Sequence, residues 1–137
     1  MAHWLVKSEP SVYGWDQMVK DKRTFWSGVR NHQAAANMKA MKKGDLAFFY
    51  HSGEGKEIVG IVRVAKEYYP DHTDETGKFG MVDLEAVKPL KSPVTLKAIK
   101  EDAKLKDFGL VRQGRLSVVA VSDPHWALLM KMAGEKA

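Results

Sequence analysis

Leu46-Ala47-Phe48-Phe49-Tyr50-His51 and the run from Ile58 to Tyr69 flank a short polar stretch, Ser52-Gly53-Glu54-Gly55-Lys56. Two apolar runs rich in β-branched and aromatic residues, joined through glycines, read as a β-hairpin. Alternation along the first run places Leu46, Phe48 and Tyr50 on one face, with Phe49 and His51 on the other. One of Tyr50 and His51 is therefore expected to face a cavity or mouth, and alternation leaves open which.

Upstream of this hairpin, His3 to Ser8 alternates as a strand and ends at Glu9-Pro10. Tyr13 to Asp21 has helical spacing, with Trp15, Met18 and Val19 on one face. Asn31 is a good N-cap for a second helix running through the alanines to about Met41. Lys42-Lys43-Gly44-Asp45 then turns the chain into the hairpin. Downstream, Asp71 to Lys78 reads as a polar surface loop. Met81 to Val87 reads as a strand, Val94 to Asp102 as a helix and Leu116 to Val121 as the last strand. Asp123-Pro124 opens a final helix, with Asp123 as N-cap and Trp126, Leu129, Met130 and Met132 turned inward. Strands in the middle with short helices between them predict an α+β fold, a curled sheet decorated with helices. No repeat, linker or low-complexity segment interrupts residues 1–137, so one domain is expected.

The 137 residues carry 22 Lys+Arg against 17 Asp+Glu, a net charge of +5, which suits a polyanionic partner. The absence of cysteine excludes disulfides, thiolate zinc sites and cysteine nucleophiles. Histidines 3, 32, 51, 72 and 125 lack metal-ligand spacing, and no phosphate-binding glycine loop occurs. No cofactor or metal is expected. Neither a secretory signal nor a run of about 20 apolar residues is present, which predicts no membrane contact and a cytoplasmic protein, nuclear in a eukaryotic host.

Four clusters stand out, two that set aromatic residues beside small polar and basic ones and two that are polar and charged. In Phe25-Trp26-Ser27-Gly28-Val29-Arg30-Asn31, Trp26 in a loop would offer a flat wall to a base. Asn31 and nearby helix N–H groups would bond a base edge or phosphate. The competing reading buries Trp26 in the core and leaves Asn31 as a cap, and residue type alone favours it. Tyr50-His51-Ser52 ends a very apolar strand. Lys7-Ser8-Glu9-Pro10 places a carboxylate at a strand end, where it reads either as a base-edge acceptor or as a solvated glutamate. Arg112-Gln113-Gly114-Arg115 is a basic turn suited to phosphate or an ordinary charged loop.

Taken together, the stretches resemble the EVE domain family. The matching segments are Trp4-Leu5-Val6-Lys7-Ser8-Glu9-Pro10, Trp26-Ser27-Gly28-Val29-Arg30-Asn31, Gly44-Asp45 with Phe49-Tyr50-His51-Ser52, Val82-Asp83-Leu84 and Arg115-Leu116-Ser117-Val118. They occur in family order across nearly the whole chain. The resemblance implies a PUA-like, strongly bent β-barrel with helices packed around it, similar to YTH domains, and the reading of a modified base in nucleic acid. By that resemblance Trp26 matches the tryptophan of the YTH aromatic cage, and Ser27 offers its backbone to the base. Ser8, Glu9 and Asn31 line the edge-reading side, and Tyr50, His51 and Phe79 complete the pocket. Lys7, Arg30, Arg112 and Arg115 hold phosphates. Glu9 stands where YTH domains carry a neutral amide, which makes 5-methylcytosine at least as good an expectation as a methylated adenine. Phe79 stands where many EVE sequences have tryptophan, which implies a smaller stacking face and looser binding.

The expected function is thus a monomeric, non-enzymatic module whose partner is nucleic acid carrying a modified base. Two other classes compete. An RNA- or nucleoside-processing enzyme, as among the related ASCH domains, would have to draw its acid or base from Glu9, His51 and Lys7. A module binding a small ligand would show affinity nearly independent of salt.

Overall fold

The computed structural model describes residues 2–53 and 55–135, so Glu54 of the stretch 52–56 lies outside them. Among the described residues, six strands form one sheet in the order β2-β5-β4-β3-β1-β6. Strand β1 is His3–Ser8, β2 Arg23–Trp26, β3 Leu46–His51, β4 Glu57–Pro70, β5 Gly80–Thr95 and β6 Val118–Val121. Helices α1 (Pro10–Tyr13), α2 (Trp15–Asp21) and α3 (His32–Ala40) lie in the first third of the chain. Helices α4 (Leu96–Glu101), α5 (Gly109–Arg112) and α6 (Asp123–Met132) lie in the last.

The hairpin that opened the sequence reading is β3–β4, antiparallel with Leu46 opposite Arg63. Strand β1 pairs with β3 in parallel and with β6 antiparallel, so its buried residues Trp4, Leu5 and Val6 sit near one end of the sheet. Four register shifts between β4 and β5 let these long strands bend strongly. The sheet does not close: β2 and β6 each have one sheet neighbour, so the barrel is an open, bent one.

Both faces of β3 are covered, which is why its run is apolar throughout and not half polar. On one face Phe48 stacks on Trp126 of α6 at 4.0 Å between ring centroids. On the other, Phe49 meets Trp15 of α2 at 5.3 Å and Trp26 of β2 at 5.7 Å, both at steep angles. Trp15 lies directly over Gly60, the partner of Phe49 across the hairpin, at a shift in strand register. A Cβ on Gly60 would overlap the indole, so glycine is required here for close approach. Gly60→Ala is expected to lower stability by about 1–3 kcal/mol, as overpacked cores do, seen as an earlier denaturant midpoint.

Several element boundaries differ from the sequence reading: Trp26 ends strand β2 and is not in a loop, β5 runs past Val87 to Thr95, and β6 begins at Val118, not Leu116. The helix expected over Tyr13 to Asp21 is split at Gly14, whose extended backbone ends α1 and starts α2. Val94 and Thr95 belong to β5, and Thr95 caps α4 by accepting from the Ala98 N–H. The cap of α6 is Ser122, which accepts from His125 N–H, and Asp123 falls inside the first turn.

Candidate nucleic-acid interface

Strand β2 pairs with β5, Trp26 opposite Val82, and Trp26 is its last residue. The next residues are fixed one after another. Gly28, at φ +85°, donates its N–H to the Asp71 carboxylate at 2.8 Å. Val29 is buried in the core. Arg30 bonds Asp71 at 3.1 Å and the Thr73 hydroxyl at 3.0 Å. Asn31 caps α3, its side-chain oxygen accepting from the Ala34 N–H at 2.9 Å. The segment that carries Trp26 and Ser27 is thus held by the protein's own bonds.

Asp71 is the centre of this arrangement. It is 3% exposed, although the sequence reads it as part of a solvated loop. Burial alone would push its carboxyl up, yet donation from the Thr73 hydroxyl, the Gly28 and Thr73 N–H groups and Arg30 holds it well below the ordinary range. The loop it begins braces itself through Asp74, which accepts from Thr76 and from the Phe79 N–H.

Trp26 is half-buried. The rings of Tyr13 and Phe49 stand nearly perpendicular to it, at 6.1 and 5.7 Å. Its remaining surface lines an open cavity of about 540 Å³, with Lys7, Ser8, Ser27, Arg30 and Asn31 also on the wall. Six of the expected site residues therefore converge on one hollow. Ser8 donates to the Tyr13 carbonyl at 2.6 Å and so positions the ring beside Trp26. Val12, Tyr13, Thr24, Phe25 and Ser117 line the same cavity and were not singled out by the sequence reading. Val12 is 79% exposed and Phe25 48%, an apolar rim that a short edge strand and a four-residue helix give little pattern to reveal.

The other expected pocket residues lie elsewhere. Glu9 is exposed at the start of α1 and its backbone carbonyl accepts from Val12 and Tyr13. The His51 Nε2 accepts from the Trp15 N–H at 3.0 Å, so the ring secures α2. Burial lowers its pKa, against the carboxylates of Glu57 and Asp16, and keeps that nitrogen available as an acceptor. Phe79 packs between His32, at 5.1 Å, and the Arg30 guanidinium, at 5.7 Å. Tyr50 is turned away, towards a different cavity. Arg112 and Arg115 are exposed, with Arg112 4.0 Å from Asp107.

Residues 2–132 match the EVE domain. The chain belongs to that family. Thymocyte nuclear protein 1 of Gallus gallus is 34% identical, with 98% of this chain and 69% of that protein aligned. An NMR structure of a Rhodopseudomonas palustris protein superposes with a TM-score of 0.93 at 54% identity, covering 98% of this chain and 94% of the other. Human THYN1, solved in complex with DNA containing 5-methylcytosine, superposes with a TM-score of 0.89 at 30% identity over the full length of both chains. A YTH domain of Zygosaccharomyces rouxii, solved with N6-methyladenosine RNA, shares the fold alone, at a TM-score of 0.62 and 11% identity over 99% of this chain and 87% of the other.

The stretches that mark this EVE domain in sequence are contacts in space. Trp4 donates its indole N–H to Asp45 at 3.1 Å, and Asp45 also accepts from the Lys42 N–H, closing the turn whose Gly44 has φ +95°. Val82 and Asp83 are the β5 partners of Trp26 and Phe25. Asp83 further accepts from Arg23 and from the Tyr69 hydroxyl, so the strand beneath the candidate base wall is tied from both sides.

Proposed function

We propose that this EVE domain binds nucleic acid carrying a modified base, with the base against Trp26 and 5-methylcytosine the preferred modification. The observation that carries this is the indole on the wall of an open cavity, in a chain that superposes over its full length on the crystallised chain of human THYN1 bound to 5-methylcytosine DNA. The cavity volume lies in the range of small-ligand sites, which is room enough for a single flipped base.

In this reading Trp26 stacks on the base, and the Ser27 backbone, the Ser8 oxygen and the Asn31 amide nitrogen face its edge. The capping bond occupies the Asn31 oxygen and leaves its NH₂ free to donate. Glu9 stands beside Ser8, exposed and outside the cavity wall. Lys7 and Arg30 lie at the cavity, and the exposed Arg112 and Arg115 supply further positive charge for the backbone. The lining contains no carboxylate or imidazole among the described residues, and its lysine already donates to the Gly114 carbonyl at 2.7 Å. This favours binding over acid–base chemistry.

Fluorescence anisotropy on short duplexes and single strands bearing 5-methylcytosine, N6-methyladenine or no modification tests the reading. Burial of one methyl group corresponds to about 0.8 kcal/mol, so a preference of about fourfold for the methylated cytosine is expected. Affinity should also fall steeply with salt. Equal binding of methylated and unmethylated strands, or affinity flat in salt, would remove the proposal.

A further inference from the structure

A second cavity, of about 220 Å³, lies beside the first and shares Lys7 with it. Beside Lys7, it is lined by Tyr50 near the end of β3, Lys56 just ahead of β4, Leu96 and Lys100 of α4 and Leu110 of α5. Three lysines line it and, among the described residues, no carboxylate does. Neither Lys56 nor Lys100 forms an ion pair among the described residues.

Tyr50 supplies an independent observation. It is only 3% exposed and its hydroxyl makes no hydrogen bond among the described residues. Among the described residues no buried side-chain oxygen or nitrogen is left without a partner, and Tyr50 lines the cavity, which is the space its hydroxyl can reach. Burial raises its pKa, so it stays protonated and able to donate. The Lys7 ammonium lies 6.0 Å from the Tyr50 ring centre, and burial lowers its pKa. An anion beside it would offset that penalty.

We propose that this second cavity holds a phosphate of the same strand whose base occupies the first, bound by Lys56, Lys100 and the Tyr50 hydroxyl. The assignment rests on the base-binding reading, because Lys7 on the wall of both cavities is what makes them consecutive stations along one backbone. Apolar walls at Leu96 and Leu110 lower the local dielectric and strengthen the charge-assisted bonds.

The test is the double variant Lys56→Gln/Lys100→Gln, set against Lys104→Gln/Lys131→Gln, which removes equal charge from positions lining neither cavity. On a 5-methylcytosine oligonucleotide, the slope of log K against log salt should become shallower by about 0.9 for a duplex, or 0.7 for a single strand, per phosphate released. The control pair should leave the slope nearly unchanged, and the methyl preference should survive in both. A series of oligonucleotides with one neutral methylphosphonate linkage then locates the phosphate. One linkage beside the modified base should weaken the parent and leave the double variant indifferent. Thermal unfolding checks that the variant is folded, and Lys100→Gln alone, on the exposed face of a short helix, repeats the linkage scan if it is not. Identical slopes in the two double variants, or no linkage with that behaviour, overturns the proposal. Inorganic phosphate that saturates the cavity while the oligonucleotide slopes stay equal overturns it in favour of a free anion. Loss of methyl preference in the parent is a separate result and strikes at the base cavity itself.

Discussion

Trp26→Ala is expected to weaken binding of a 5-methylcytosine oligonucleotide by roughly 5- to 150-fold, the equivalent of the 1–3 kcal/mol that stacking on one aromatic ring contributes. The methyl preference should collapse with it, because the methyl group gains only where a surface packs against it. Two features make this more informative than most pocket mutations. Gly28, Val29, Arg30 and Asn31 are each anchored independently of the indole, so its removal leaves the neighbouring backbone in place. The ring is also half-buried against Phe49 and Tyr13, so some stability is lost too, and affinity must be compared at a temperature where both proteins are folded. Trp26→Phe separates the two effects: it keeps a smaller stacking face and should give an intermediate affinity with most of the methyl preference. A Trp26→Ala protein that is folded and binds methylated strands like the parent would show that the indole is a packing residue.

The sequence made the centre of the sheet readable and its edges hard to read, for a physical reason. Strands β1, β3 and β4 are long or strictly patterned because they are buried, and α3 begins at a residue with a capping side chain, so these elements stand where residue patterns place them. Strand β2 is four residues at a sheet edge, half exposed and starting with a charge, and it exists because β5 offers it partners. Nothing local in Arg23-Thr24-Phe25-Trp26 announces that pairing, so Trp26 read as a loop residue. The candidate site divided the same way. Residues close in sequence to Trp26 did reach one cavity with Lys7 and Ser8. Tyr50 and His51 are neighbours in sequence, but a strand sends them to opposite sides and a register shift between Phe49 and Tyr50 alters the local path. His51 ended on the backbone of α2 and Tyr50 on the second cavity. Lys56 and Lys100 drew no attention as isolated surface lysines, because only the fold brings them to Lys7.

Asp71 is the residue whose loss should do most damage outside the core. Its carboxylate accepts the Gly28 N–H, the Thr73 N–H and hydroxyl, and Arg30, all within 3.1 Å, with no exposure of its own side chain. Asp71→Ala would leave those donors facing one another in a desolvated site, a situation that typically costs about 3–5 kcal/mol. Arg30 is partly exposed and can turn to water, so the lower end of that range is expected. The loop carrying Trp26 and Ser27 should loosen, so binding should weaken even though Asp71 touches no base. Asp71→Asn keeps the shape but exchanges an acceptor oxygen for an NH₂ among donors, and should recover only part of the stability. The pH dependence gives an independent check. The folded carboxyl titrates below its ordinary value of 3.8, so in that interval the unfolded chain binds the extra proton. The stabilisation is complete above the ordinary value and is lost as pH falls through the folded one. Denaturant midpoints of the parent and Asp71→Asn, measured from pH 6 down to about pH 2, should therefore converge as acid removes from the parent what the mutation has already removed. Parallel curves, with the same gap at every pH, would mean that the charge on Asp71 holds nothing in place.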